Sequence, residues 1–255
     1  MASLEALIWD VDGTLADTER HGHREAFNAA FRDAGLDWHW SEALYGELLE
    51  VTGGKERIRH FMRQHRPEFS PPGDPDRFVA HLHTRKTAHF VSLLERGHIP
   101  LRPGVERVLH QAREAGLRLA IATTTSPANV ETLLEANLGQ QALDWFHVIG
   151  AGDVVPHKKP APDIYRYVLD HLGLPPEACL AIEDSRQGLA AARQAGLPTL
   201  VTVNGYTAED PLEGALAVLD RLGTPERPCR ALMGPAPEGG VVDLDWLRAL
   251  MAAGG

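Results

Sequence analysis

The sequence predicts an α/β fold, a parallel sheet covered by helices, with an all-helical segment inserted after the first strand. Three observations carry this expectation. Short apolar runs alternate with segments of helical period through most of the chain. Acids, hydroxyls and a lysine stand directly after those runs or before the helices that follow them. One long stretch, Thr18 to Gly97, shows helical patterns and breakers but no strand pattern.

The elements follow in order. Leu4 to Trp9 reads as the first buried strand, because a near-continuous apolar run fits a strand covered on both faces. The helical stretch comes next, interrupted by the loop SPPGDPD at Ser70 to Asp76. Pro100, Pro103 and Gly104 in "IPLRPG" mark the return to the α/β core, so two crossings, near Ala16 and Ile99, would form a hinge. Val105, Val108, Leu109 and Ala112 then repeat at i, i+3, i+4, i+7, the stripe of an amphipathic helix. Leu117 to Ala122 and Phe146 to Ile149 are the second and third strands. A helix beginning near Pro162 is expected to bury Ile164, Tyr167, Val168 and His171 to Leu172. Cys179 to Ile182 and Pro198 to Val203 are the remaining strands. Between them Gly188, Ala191, Ala192 and Ala195 give a helix a small-residue face that can lie close to the sheet. The Pro- and Gly-rich tail from Thr224 to Gly240 is expected to loop before a last helix around Asp245 to Met251. The expected division is therefore an α/β core of residues 1–17 and 98–255 and a helical unit of residues 18–97.

Composition bounds the function. At 255 residues, 44% apolar and 24% charged, the chain has enough length to bury a substantial core. Its two cysteines, Cys179 and Cys229, form no disulfide framework, which suits a reducing cytoplasm. The start, MASLEALIWD, lacks the basic flank and apolar length of a signal peptide, and no run is long enough for a membrane helix. A net charge of -10 argues against general binding to nucleic acid or anionic membranes. A small anion is still an eligible ligand where cations gather locally.

In a parallel α/β sheet, ligands bind beyond the carboxyl ends of the strands. Asp10, Asp12 and Thr14 follow the first strand; Thr123, Thr124 and Thr125 follow the second; Glu183, Asp184 and Ser185 follow the fourth. Lys158 and Lys159 stand in "HKKPAP" before a helix. Acids at neighbouring strand ends repel one another unless a cation sits among them, and carboxylate-only ligation suits a hard ion such as Mg2+. The ion and Lys159 would neutralise a phosphoryl group, while hydroxyls and backbone N–H groups near Thr123 and Thr124 would hold its other oxygens. One carboxylate is then available to attack and another to move a proton. Alone, "DVDGT" could be an acidic turn capping a helix and Lys159 a solvated lysine; their joint occurrence in this order argues for chemistry.

These four motifs, Asp10 to Thr14, Thr123, Lys159 and "EDS" at Glu183 to Ser185, resemble those of haloacid dehalogenase superfamily phosphatases. The resemblance implies a Rossmann-like core with an α-helical cap. It implies Asp10 as the nucleophile forming a phosphoaspartate, and Asp12 as general acid and then base. Asp10, the Asp12 carbonyl and Asp184 would hold Mg2+, with Glu183 in support; Thr123 and Lys159 would bind the transferring phosphate. Displacing halide needs no proton, whereas expelling an alkoxide does, so Asp12 argues for phosphoryl transfer.

The inserted helices resemble the cap of the β-phosphoglucomutase and sugar-phosphatase subclass. The stretches "DTE", "GHREAFN", "GLDWHW", "TGGKERI", "RKT" and "ATTTS", together with Tyr45, look closest to the CbbY type, the xylulose-1,5-bisphosphate phosphatases. A bisphosphate needs a second cationic patch, which Lys55, Arg57, Arg85 and Lys86 offer beside Gly53 and Gly54. Glu19, His23 and Tyr45 could bond sugar hydroxyls, Glu19 being implied by the resemblance as the substrate-orienting acid. "TERHGHRE" runs one residue longer than in some relatives, so His21 and His23 stand as alternatives for the histidine facing the substrate. "TGGKE" lacks the spacing of a P-loop, and the pairs His21/His23 and His81/His83 lack the further ligands of a transition-metal site. Trp38 and Trp40 are expected to anchor the cap.

The reading is a cytoplasmic, monomeric, Mg2+-dependent sugar-phosphate phosphatase converting xylulose 1,5-bisphosphate to xylulose 5-phosphate and phosphate. A β-phosphoglucomutase-like mutase and a catalytically silent binder of phosphorylated metabolites are the alternatives. A phosphoglycolate-type phosphatase is disfavoured, because so small a substrate does not need the basic cap patch. The expected partner is a small sugar phosphate or bisphosphate, not nucleic acid or a membrane.

Overall fold

The computed structural model describes residues 3–97 and 99–254. Met1, Ala2, His98 and Gly255, which fall within the expected domain ranges, lie outside the described residues. Seven strands form one sheet: β1 Ala6–Trp9, β2 Arg118–Ala122, β3 Phe146–Gly150, β4 Cys179–Glu183, β5 Thr199–Thr202, β6 Ala217–Leu219 and β7 Ala231–Met233. Their order is β3-β2-β1-β4-β5-β6-β7, with β7 alone antiparallel to its neighbour. The chain therefore leaves β1 for β2 on one side and reaches β4 on the other, a reversal that opens a crevice at the carboxyl ends of β1, β2 and β4.

Both sheet faces are covered, and alternation along the strands explains how. Leu7, Trp9, Leu119, Ile121, Leu180 and Ile182 pack on the side of helices α5 (Val105–Glu114), α6 (Pro127–Leu138) and α9 (Leu244–Gly254). Ala6, Ile8, Ala120, Ala122 and Ala181 face α7 (Asp163–Leu172) and α8 (Arg186–Gln194). That second face is mostly alanine, so its helices approach closely, as the small residues Gly188, Ala191 and Ala192 of α8 require.

Among the described residues four α-helices lie between β1 and β2 before α5: α1 (Arg24–Asp33), α2 (Glu42–Leu48), α3 (Gly54–His65) and α4 (Pro75–Glu95). No strand lies among the described residues of 18–97. Phe27, Phe31, Trp38, Trp40, Tyr45 and Phe61 form their own apolar cluster, with Trp38 and Trp40 at its centre as expected. Phe90 and Leu94 of α4 instead join the cluster on the sheet, tying the helical segment to the core.

Several sequence expectations need correction. Strands β6 and β7 were not foreseen, and β7 lies inside the tail expected to loop. The loop at Ser70 ends earlier, because the Asp74 side chain caps α4 and Pro75 takes its first position. On α7 the buried face is Ile164, Tyr165, Val168, Leu169 and Leu172, so Tyr165 and not Tyr167 points inward. Both cysteines are buried and unpaired. Among the described residues no helix is long and apolar enough to cross a membrane.

Candidate active site

The carboxyl ends of β1 and β4 bring three acids together. One carboxylate oxygen each from Asp10, Glu183 and Asp184 falls within a set lying within 4.8 Å of one another, all three residues buried. Lys159 reaches between them: its Nζ donates to Asp10 Oδ1 at 2.6 Å, to Glu183 Oε1 at 2.6 Å and to the Ala122 carbonyl at 2.9 Å. The ammonium thus joins three strand ends, with burial opposing its charge and the two carboxylates overcoming that, so its pKa lies well above the usual lysine value.

One ammonium does not balance three carboxylates. Burial, then Glu183 and Asp12, push Asp10 up from 3.8 to about 7 despite the opposing pull of Lys159. Burial, then Asp10 and Glu183, raise Asp184 well above the ordinary carboxylate range. Such a set is relieved by a cation, and its all-oxygen donors fit a hard divalent ion. Gly13, at φ 86°, leaves this corner open: a Cβ there would strike the Asp184 carboxylate and Asn204. Asn204 Nδ2 donates to Asp184 Oδ2 at 2.6 Å, orienting it.

Asp12 turns to different partners, although it is only two residues from Asp10. Thr18 Oγ1 donates to its Oδ1 at 2.6 Å, and His23 Nε2 lies 2.7 Å from the same oxygen. Lys86 Nζ lies 2.7 Å from His23 Nδ1. An ammonium only donates, so Nδ1 must accept and Nε2 must carry the proton given to Asp12. Burial would raise the Asp12 pKa, but His23, Thr18 and Lys86 outweigh it and hold the carboxylate far below its usual range. Burial lowers Lys86 to about 8, against the pull of Asp12 and Glu19.

The helical segment forms the opposite wall. Tyr45 OH donates to Glu19 Oε2 at 2.5 Å, and Arg57 Nη1 donates to Tyr45 OH at 3.0 Å. Arg57 Nε also caps the carbonyls of Leu48 and Val51. Glu19 and Arg57, with Asp10, Asp12, Thr123, Thr124, Lys159 and Asp184, line a cleft of about 100 Å3, while Tyr45 lies buried behind them. Gly53 and Gly54, at the start of α3, line a smaller cavity beside it. Thr123 Oγ1 accepts from Thr125 N at 3.3 Å, and Thr125 Oγ1 accepts from Asn129 Nδ2 at 2.8 Å, a chain that shapes the loop after β2.

Not every expected residue converges. Lys55 pairs with Asp153 at 2.6 Å in a neighbouring groove that Thr124 and Ser126 also line, not in the main cleft. Arg85 points away and donates to the Asp33 carbonyl. Of the two histidines, His23 is buried against Asp12, whereas His21 lines a separate groove at the chain crossings. The stretch forms a π-helical turn, Glu19–His23, directly before α1. Asp12, Glu19 and His23 also lie within metal-ligand spacing, but both His23 nitrogens are already occupied.

Sequence reasoning missed four supporting residues. Tyr165 OH donates to Glu183 Oε1 at 2.5 Å, hidden by the misplaced α7 face. Asn204 follows β5 just as the motif residues follow their strands, a signal that could have found it. Thr18 and Gly188 complete the set: a Cβ on Gly188 would overlap the Glu183 carboxylate, which is why α8 has glycine there.

A strand-end acidic cluster in a reversing parallel sheet, bridged by a lysine, is the arrangement found here, and a family model for haloacid dehalogenase-like hydrolases matches residues 4–196. The chain belongs to that family. It is 51% identical to Protein CbbY (plasmid) of Cupriavidus necator over 88% of each chain. A crystal structure of a CbbY mutant from Rhodobacter sphaeroides in complex with xylulose-(1,5)bisphosphate superposes with a TM-score of 0.80 at 45% identity, covering 94% of this chain and 100% of that one. A β-phosphoglucomutase from Clostridium difficile shares the fold, at a TM-score of 0.72 and 18% identity over 98% of each chain. Within the family the chain is a CbbY-type phosphatase.

Proposed function

We propose that the protein is a Mg2+-dependent phosphatase that hydrolyses xylulose 1,5-bisphosphate to xylulose 5-phosphate and phosphate through a phosphoaspartate on Asp10. The observation that carries this is the split of the two neighbouring aspartates. Asp10 is held by Lys159 among acids, while Asp12 is held by Thr18 and His23. That split supports reading Asp10 as the nucleophile and Asp12 as the proton carrier.

Asp10, the Asp12 carbonyl and Asp184 would hold Mg2+, with Glu183 giving indirect support because both of its oxygens are engaged by Lys159, Tyr165 and the Asp184 N–H. The bound ion would supply charge neutralisation for the phosphoryl oxygens and the attacking carboxylate. Lys159 and Thr123 bind the transferring group. Asp10 attacks phosphorus and the ester P–O bond breaks. Asp12 protonates the departing sugar oxygen with a proton passed from His23 Nε2 as Lys86 Nζ passes one to Nδ1, so His23 stays neutral. Asp12 then takes a proton from water as that water releases phosphate from Asp10, and the proton returns through His23 to Lys86.

Residues 18–97 would act as a cap over a core of 1–17 and 98–255. Arg57 and Lys86, with Gly53, Gly54 and Lys55 beside them, are the cationic and backbone groups for the distal phosphate. Glu19, Tyr45 and His23 face the sugar, and Thr124 and Thr125 complete the loop around it. The CbbY mutant's xylulose bisphosphate complex supports the substrate choice. We read the protein as a cytoplasmic monomer acting on a diffusible substrate. A panel of sugar mono- and bisphosphates scored for inorganic phosphate tests the reading. Preferred release from xylulose 1,5-bisphosphate is expected. An isomerised sugar phosphate with little free phosphate would establish a mutase instead, and no turnover at all a silent binder.

A further inference from the structure

The two crossings between the helical segment and the core are tied to each other. Ala16 and Leu101 form an antiparallel bridge, and Arg102 N donates to the Leu15 carbonyl at 2.8 Å. The Arg102 side chain then turns into the core, where its guanidinium serves backbone carbonyls and, among the described residues, no carboxylate. Its Nη1 donates to the Gly13 carbonyl, to the Thr202 carbonyl at 2.8 Å and to Thr202 Oγ1 at 3.1 Å. Its Nη2 donates to the Val203 carbonyl at 2.5 Å and to the Asp220 carbonyl at 2.9 Å. One side chain thus gathers the turn after β1 and the ends of β5 and β6, which only a forked group with several donors can do. Burial opposes its charge, while Asp184, Asp17 and Asp220 favour it.

Gly13 links that clasp to the chemistry. Its N–H donates to the Ala16 carbonyl at 2.8 Å, so across the trans peptide the Asp12 carbonyl faces the other way, away from Ala16. Its Cα lies against the Asp184 carboxylate, closer than a Cβ would permit. No hydrogen bond among the described residues other than that of Arg102 takes the Gly13 carbonyl. Ala16 on one side and Arg102 on the other therefore set both peptides that flank a residue with wide backbone freedom of its own. We propose that Arg102 is a positioning residue: acting through the Gly13 carbonyl, it fixes the turn that carries the Asp12 carbonyl against Asp184, and so sets the affinity of that corner for the divalent ion. The inference rests on the metal reading above and adds to it a residue that is not itself a ligand.

The charge and the geometry of Arg102 predict opposite signs. Losing a cation near Asp184 favours another cation there, whereas losing the hold on Gly13 disfavours it. Mg2+ binding is measured by titration calorimetry, without substrate, for the wild type, Arg102→Lys and Arg102→Met. Both variants should bind Mg2+ about tenfold or more weakly, the size of effect when a group supporting metal ligands is removed. Arg102→Lys shares in this because one ammonium lacks the planar fork. At saturating Mg2+ the kcat for p-nitrophenyl phosphate should return towards the wild-type value, a recovery that a merely structural role would not give. Linkage supplies a measurement on the wild type alone, should the variants fail to fold. If the hold on Gly13 sets Mg2+ affinity, Mg2+ must tighten that hold, so solvent exchange of the Arg102 Nη hydrogens, read by NMR with isotope-labelled arginine, should slow when Mg2+ is added. Tighter binding in Arg102→Met with Arg102→Lys unchanged would show that only the charge acts. Unchanged affinity in both variants, or unchanged exchange in the wild type, would show a structural clasp alone; each of these results overturns the proposal. Failure of the metal reading has its own signature: the wild type would bind no Mg2+ in the calorimeter, and both ideas would fall together.

Discussion

Two aspartates separated by one valine have opposite pKa shifts. Asp10 rises to about 7 through burial and neighbouring acids, whereas Asp12 falls because His23, Thr18 and Lys86 outweigh its burial. Their residue types and spacing were legible from "DVDGT" alone, but their partners were not, since Lys159, His23 and Lys86 come from distant segments. Lys86 yields a pH prediction. With its pKa lowered from 10.5 to about 8, kcat/KM for a sugar phosphate should fall above about pH 8, as the ammonium supporting His23 loses its proton. Lys86→Arg should shift that limb upward, and Lys86→Met should lower kcat/KM at neutral pH by about tenfold or more; a limb unchanged in Lys86→Arg would assign it to another group. For stability the sign is opposite. Between about 8 and 10.5 the unfolded chain holds more protons at this site than the native one, so the native-state penalty from Lys86 is full below 8 and fades as pH rises. A pH series of denaturant unfolding comparing wild type with Lys86→Met reads that difference.

Helix α8 shows how an element serves the site. Ser185 caps it, its Oγ accepting from Gly188 N at 3.2 Å, which ends β4 and turns the chain beside Asp184. Gly188 leaves room for the Glu183 carboxylate, so Gly188→Ala should destabilise the fold by about 1–3 kcal/mol through overpacking. It should also weaken the Mg2+ dependence of thermal stability; calorimetry with and without Mg2+ checks both, and an unchanged melting profile would contradict this packing. The small-residue face was legible as a close helix–sheet contact, but not as space for a carboxylate. Strands β6 and β7 escaped detection because each is three residues long and lies among glycines and prolines, where periodicity has too few positions to register. The α7 stripe misled for a related reason: Tyr165 and Tyr167 both fit a helical period, and only the Glu183 partner decides between them. The π-helical turn at Glu19–His23 was not legible, because no local pattern of "TERHGHRE" separates it from an ordinary helical turn.

At the scale of the whole molecule, the helical segment and the core meet through polar links across the cleft. Lys55 pairs with Asp153, Arg186 with Glu50, and Thr52 donates to the Lys159 carbonyl. Exposed ion pairs of this kind are worth about 0–1 kcal/mol each, so they add little to holding the two parts together. The alternation of runs made the sheet and the helical insertion legible, whereas the cleft between them depended on long-range pairing that no local pattern records. The central claim is that Asp10 itself takes the phosphoryl group. Rapid acid quench of the wild type turning over xylulose 1,5-bisphosphate with Mg2+, followed by peptide mass spectrometry, measures this directly. One phosphoryl group on the peptide carrying Asp10, absent in an Asp10→Asn protein that releases no phosphate, is the predicted result. Steady phosphate release by Asp10→Asn, or a phosphoryl group found on another residue, would contradict it.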